Sequence, residues 1–257
     1  MNAHVSGLAV TPVKGTRVRA VARIELGVNG ARGDRAFYVI DAGGRMQNGK
    51  QLGELQAIVA DHDSERGRLR LDFPDGTRAE DTLDYGDPVE TRFFSRTMTA
   101  RPLAGPWSEA LSAFVGRPVR IVAPDAPAVD RGSRAGASII SRGSLQRLAE
   151  EARIDAVDGR RFRMLVEIDG IGAHEEDGWI GRRVRIGEAL VAARGNVGRC
   201  LVTSRDPETG EVTLPTLDLL GSYRRAVNST EPLPFGIYAE VIEPGPVRVG
   251  DPVAVED

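Results

Sequence analysis

Asn196-Val197-Gly198-Arg199-Cys200-Leu201-Val202-Thr203-Ser204-Arg205-Asp206-Pro207-Glu208-Thr209-Gly210 reads as a loop, a β-like run and a tight turn. Gly195 and Gly198 give the loop backbone freedom, and Leu201 and Val202 open the apolar run. Pro207 presets φ in the turn, which Gly210 closes from a left-handed position. The same rhythm recurs along the chain, whose 30 glycines and 15 prolines separate short β-type runs. Such runs fall at residues 18–26, 36–40, 68–73, 91–100, 119–123, 162–168, 183–186, 189–193 and 238–242, with turns at 41–44 and 74–76. Helical spacing is confined to three segments. Residues 107–115 open at Ser108 and close at Gly116; 144–152 carry Leu145 and Leu148 on one face with Ser144 as cap; 216–227 carry Leu217, Leu220 and Tyr223 with Thr216 as cap. The expectation is a mainly β protein with a few short helices, built from two closely packed units that divide near Pro124-Asp125-Ala126-Pro127.

Composition bounds the chemistry. The 257 residues include one cysteine, Cys200, which excludes an internal disulfide, a zinc site of several thiolates and an iron–sulfur cluster held by this chain alone. That thiol usage fits a reducing cytosol. The net charge of −3 gives no global reason to expect nucleic acid as a partner. No run of about 20 apolar residues predicts a membrane span, and the first ten residues lack the pattern of a signal peptide. The cations are lopsided: Lys14 and Lys50 are the only lysines among 34 basic residues, so a lysine in a loop draws notice.

Cys200 sits at a loop junction directly after Arg199, and a neighbouring cation favours the thiolate that a nucleophile or soft-metal ligand must be. The plainer reading is a small buried hydrophobe. Lys14, in the Pro/Gly-bounded loop Thr11-Pro12-Val13-Lys14-Gly15, is either a solvated lysine or an anion contact. Gly33-Asp34-Arg35 has the same two readings. Arg161 and Arg163 alternate into a strand and would share one face. His4 and His62 lie in polar contexts that place them at the surface. His174-Glu175-Glu176-Asp177 lacks the i, i+4 spacing that puts two metal ligands on one helix face. No phosphate-binding loop, dinucleotide fingerprint, nucleophile elbow or Cys-x-x-Cys occurs. A serine–histidine–acid set stays open but unlocalised.

Taken in order, a longer series of motifs carries a family resemblance. It runs from Thr11-Pro12-Val13-Lys14 through Gly33-Asp34-Arg35, Phe162-Arg163, Glu176-Asp177-Gly178-Trp179 and Gly198-Arg199-Cys200 to Thr203 and the 206–210 turn. It ends at Ser222-Tyr223-Arg224, Pro234-Phe235-Gly236 and Val249-Gly250-Asp251-Pro252-Val253. The chain resembles the MOSC superfamily, named for the C-terminal domain of molybdenum-cofactor sulfurases, and is closest in architecture to its amidoxime-reducing group. The resemblance implies an N-terminal β-barrel over 1–123 and a MOSC β-barrel over 124–257. It implies a pyranopterin molybdenum cofactor, with Cys200 as catalytic centre and protein ligand to the metal. Lys14 and Arg35 match positions at the cofactor's phosphate end, Arg163 and Arg199 further cofactor contacts, and Thr203 the Cys-x-x-Thr segment. Glu176 and Asp177 are expected to shape the site.

The chain departs from the family at Arg163-Met164-Leu165, where relatives often read Arg-Pro-Asn, and at the altered basic segment 47–51. The family's aspartate loop near the metal should fall around Asp130 to Gly136, and no catalytic carboxylate is carried over from it. The function so implied is reduction of N-hydroxylated or N-oxygenated small molecules. Electrons would come from a separate donor, such as a ferredoxin, a cytochrome b5-like protein or a flavin reductase, since the chain has no cysteines to spare. The alternative is a carrier of the cofactor, or of sulfur as a Cys200 persulfide.

Overall fold

The computed structural model describes residues 2–125 and 132–256. Residues 126 and 127 of the expected dividing loop, with Asp130 and Arg131 of the expected aspartate loop, lie outside them. The protein is mainly β, with three α-helices among the described residues.

The largest sheet has eight strands. Their spatial order is Arg19–Ala20, His4–Val10, Val166–Asp169, Ala137–Ser141, Ile237–Glu243, Ala189–Asn196, Arg183–Ile186 and Val253–Glu256. The pair Ala137–Ser141 and Val166–Asp169 is parallel, and the α-helix Arg142–Ala152 makes the crossover that a parallel pair requires. This path is open, yet it curls. A bridge from His4 to Pro252 and the bonds Val5 N–H to Asp251 O and Gly250 N–H to Val5 O tie the first strand to the segment entering the last. Inside the curl lies one core, with Val5, Leu8, Ile139, Val166, Ile168, Val184, Val191 and Ile237 all buried. Alternation explains the side chains: in Arg183–Ile186, Val184 and Ile186 point inward while the arginines face out.

A second assembly uses the sequence between. Tyr38–Asp41, Met46–Gln47, Val89–Phe93, Arg96–Ala104, Val119–Pro124 and Asp84–Tyr85 form a six-stranded sheet. Val59–Asp63, Arg68–Asp72 and Arg78–Thr82 form a meander beside it. Trp107 anchors their shared core, fully buried, with its indole N–H donating to Leu69 O at 3.0 Å. The α-helix Trp107–Val115 stops where Gly116 turns left-handed at φ +67°.

Several local expectations are corrected. Residues 18–26 are two strands, because Arg19–Ala20 joins the large sheet while Arg23–Gly27 leaves it to pair with Gly245–Arg248. Residues 91–100 are the two arms of a hairpin that turns after Phe93. The run 162–168 is a strand only from Val166; before it, Asp158 caps the 3-10 turn Gly159–Phe162, and Arg163 ends that turn at φ +55°. Arg161 and Arg163 therefore do not share a strand face. Leu201 and Val202 open a 3-10 turn, Leu201–Ser204, instead of a strand. The cap of the helix Arg142–Ala152 is Ser141, which accepts from Ser144 N–H at 3.0 Å, and not Ser144. The helix Thr216–Tyr223 ends short of residue 227 and has no side-chain cap; Thr216 instead donates its hydroxyl to Thr203 O at 2.9 Å. His62 is half-buried instead of fully exposed. Its ring packs edge-on against Phe37 at 5.0 Å, and burial lowers its pKa.

Candidate functional site

A cleft of about 250 Å³ opens between the two assemblies. All six residues singled out in the sequence line it: Lys14, Arg35, Arg163, Arg199, Cys200 and Thr203.

Lys14 is presented by the 11–16 loop. Its N–H bonds Phe37 O at 2.8 Å, and Thr11 and Thr16 share a hydroxyl bond of 2.8 Å that closes the loop's base. Only 7% of Lys14 is exposed, so its ammonium is held within the cleft wall. Arg35 is placed from the other side. Asp34 accepts from Thr11 N–H at 2.8 Å and pairs with Arg35, whose Nη2 donates to Arg163 O at 2.8 Å. Arg163 in turn donates to Thr16 O at 2.8 Å. These contacts lace the two assemblies together across the cleft.

Cys200 stands at the head of the Leu201–Ser204 turn, partly exposed. Thr203 fixes that turn, since both its N–H and its hydroxyl donate to Cys200 O at 3.0 Å. A serine hydroxyl could replace the bond, but valine could not. Arg199 points inward. It donates to Phe235 O and, at 3.1 Å, to Phe162 O, with its guanidinium over the Phe162 ring at 5.1 Å. Burial lowers its pKa to about 9, and the charges of Cys200 and Glu176 oppose that shift. Arg199 thus clamps the carbonyls behind Cys200. Arg161 is committed likewise, donating to Arg205 O and the Thr213 hydroxyl, each at 2.8 Å.

Among the described residues, the cleft lining holds six cationic side chains, Lys14, Arg35, Lys50, Arg161, Arg163 and Arg199, and one carboxylate, Asp34. Lys50, conspicuous in the sequence for the rarity of lysine but given no site role there, also lines the cleft, so both lysines of the chain face it. Phe94 and Tyr238, also in the lining, had no such signal.

Behind Phe235 lies a polar layer. Glu176 is fully buried and accepts from Ser141 N–H at 3.2 Å, from Ser141 Oγ at 2.9 Å and from Ser144 Oγ at 2.7 Å. Burial raises its pKa. Ser144 also meets His174 Nδ1 at 3.3 Å. This is the serine–histidine–acid set that the sequence left unlocalised, but its order is acid–serine–histidine, so the histidine is not oriented by the acid as a nucleophile's base must be. Burial holds His174 down to about 4 and pushes the neighbouring Tyr223 up to about 12. Asp177 accepts from Asn196 at 2.7 Å and from Arg224 at 2.5 Å, and Arg224 also donates to Pro234 O at 2.9 Å. Asp177 therefore braces Asn196 and, through Arg224, Pro234, while Glu176 ties down the 141–144 turn. Among the described residues, no three of His, Cys, Asp or Glu converge as a metal site.

Comparisons with known proteins agree with the motif series. Residues 2–118 match the MOSC N-terminal beta barrel domain and 128–254 the MOSC domain. A rice (Oryza sativa subsp. japonica) molybdenum cofactor sulfurase is 25% identical over 93% of this chain, which spans 33% of that protein's length. Mitochondrial amidoxime-reducing component 1 of Danio rerio is 28% identical over 97% of this chain and 83% of its own. The solved YUAD protein of Bacillus subtilis aligns over 99% of this chain and 96% of its own, with 13% identity and a TM-score of 0.48. With both domains matched in tandem across nearly its whole length, the chain belongs to the MOSC family.

Proposed function

We propose that the cleft holds a pyranopterin molybdenum cofactor and that the protein reduces N-hydroxylated small molecules with electrons from a separate donor protein. The observation that carries this reading is the pairing of one thiol with clustered cations: Cys200 lies in a cleft whose described lining has six cationic side chains and one carboxylate, itself bound to Arg35. Two features of the chain fit such a group. An anionic ligand would complement the cations of the lining. A metal at Cys200 must also bring its other ligands along, because no second protein donor set is assembled there among the described residues.

In this reading Cys200 Sγ binds the metal, and Lys14, Arg35 and Arg163 take the cofactor's anionic and polar edges. Arg199 and Thr203 fix the backbone that presents Cys200. When bound, the molybdenum supplies the two-electron oxygen-atom chemistry. The chain's residues bind it, orient it and limit access. The names of the rice and fish relatives point the same way.

Metal analysis of the purified protein tests the reading. The expected result is near-stoichiometric molybdenum that Cys200→Ser removes, with turnover of an N-hydroxylated amidine driven by reduced viologen. Catalysis that persists without molybdenum overturns it. Labile sulfur on Cys200 in a metal-free protein favours the carrier instead.

A further inference from the structure

The hairpin of Val89–Phe93 and Arg96–Ala104 turns at the mouth of the cleft, and its tip is unusual. Phe94 sits there at φ +54°, a conformation that a bulky side chain adopts at a cost. It is also 48% exposed. Neither burial nor backbone preference accounts for a phenylalanine at this position; glycine or asparagine would suit the turn better.

Its neighbours supply a reason. The Lys14 ammonium lies 5.4 Å from the Phe94 ring centre and 5.6 Å from that of Phe93. Phe93 is fully buried and meets Phe94 edge-on at 5.3 Å and Tyr38 edge-on at 5.1 Å. A chain of three aromatic rings thus runs from the core to the cleft mouth and ends against the ammonium. Aromatic faces attract cations, and most strongly where water is partly excluded.

We propose that Phe94 is a positioning residue: with Phe93 it forms an aromatic clip that fixes the Lys14 ammonium where the anionic end of a bound ligand enters. The backbone strain at the tip is kept because it aims the ring. The inference rests on the proposed function only in assuming that the cleft takes an anionic ligand. It adds a segment of the chain, the 93–96 hairpin tip, to which no motif assigned a role.

Lysine scarcity makes the test clean. Trace acylation of the purified full chain, mapped by mass spectrometry, reports Lys14 with Lys50 as internal reference. Inorganic phosphate serves as the anion probe, read by calorimetry and by its protection of Lys14. Phe94→Gly suits the positive φ, so the melting temperature should hold or rise, whereas the clip is lost. The expected result is a rise of about fivefold in Lys14 reactivity relative to Lys50 and a comparable loss of phosphate affinity. Phe94→Trp should stay near wild type in both. Lys14 reactivity and phosphate affinity unchanged in Phe94→Gly, or a wild-type protein that phosphate neither binds nor protects, would overturn the clip. Molybdenum content decides the cofactor reading separately: a chain that passes the phosphate test yet holds no molybdenum keeps the clip and loses that reading.

Discussion

The cleft in front of Cys200 and the polar layer behind it are both rich in charge, and they use it in opposite ways. In front, Lys14, Arg35, Lys50 and Arg163 line the cavity, with Asp34 as the one carboxylate among its described lining residues. Behind, Asp177 answers Arg224, two serines answer Glu176, and the carbonyls of Phe162 and Phe235 answer Arg199. Charge paired inside a protein fixes geometry; cations gathered on a cavity wall can receive an anion. The two regions therefore divide the work, one holding Cys200 still and the other receiving what it meets.

The sharpest way to break this comparison is Arg199→Met. It strips the donors from two buried carbonyls and should cost about 3 kcal/mol in urea unfolding; a loss under about 1 kcal/mol would place Arg199 with the cleft cations instead. Asp177→Asn keeps shape and the acceptor for Asn196 but leaves the buried Arg224 charge unanswered. The expected loss is about 2 kcal/mol by the same measurement.

Next comes pH. The unfolded chain protonates His174 near 6.5, whereas the native ring resists until about 4. The unfolded state therefore binds more protons between those values, and stability falls as pH drops through that window. Glu176, with its raised pKa, contributes in the opposite sense, so the comparison is made against His174→Asn, which suits the left-handed backbone there. Wild type should lose about 2 kcal/mol more than the variant between pH 7 and pH 4.5, allowing for the ring's partial exposure. Equal profiles would show that the layer does not hold His174 neutral. The smallest stability effect is expected in the cleft: Lys50→Met should stay within about 0.5 kcal/mol of wild type, while ligand retention, read as bound molybdenum after dialysis, falls about tenfold. Unchanged retention would remove Lys50 from the receiving side.

Local pattern carried much of this. Alternation located strands such as Arg68–Asp72 and Arg183–Ile186 but not Val59–Asp63 or Ala137–Ser141, and Gly116 marked the end of the Trp107–Val115 helix. Two of the failures share a cause. Val202 and Phe162 have β-type neighbours, yet Thr203 pulls one segment into a turn on Cys200 O and Asp158 caps the other. Such side-chain bonds are invisible to periodicity. Motif order singled out Lys14, Arg35, Arg163 and Cys200, which the fold brings to one cleft. Phe94 was not, since its significance is a φ angle and a distance. Nor was the partnering of His4–Val10, which pairs with Val166–Asp169 across more than half the chain.

That last pairing governs when the protein can come into being. His4–Val10 is made before Val166–Asp169 and waits for it, and then for the 250–252 segment that ties it into the curl. Contacts this distant in sequence form late and slowly. One wall of the cleft hangs from the 11–16 loop just beyond that strand, so the cleft is complete only once the 250–252 segment has been made. A ligand then enters a preformed cleft rather than serving as a template for the segments that line it.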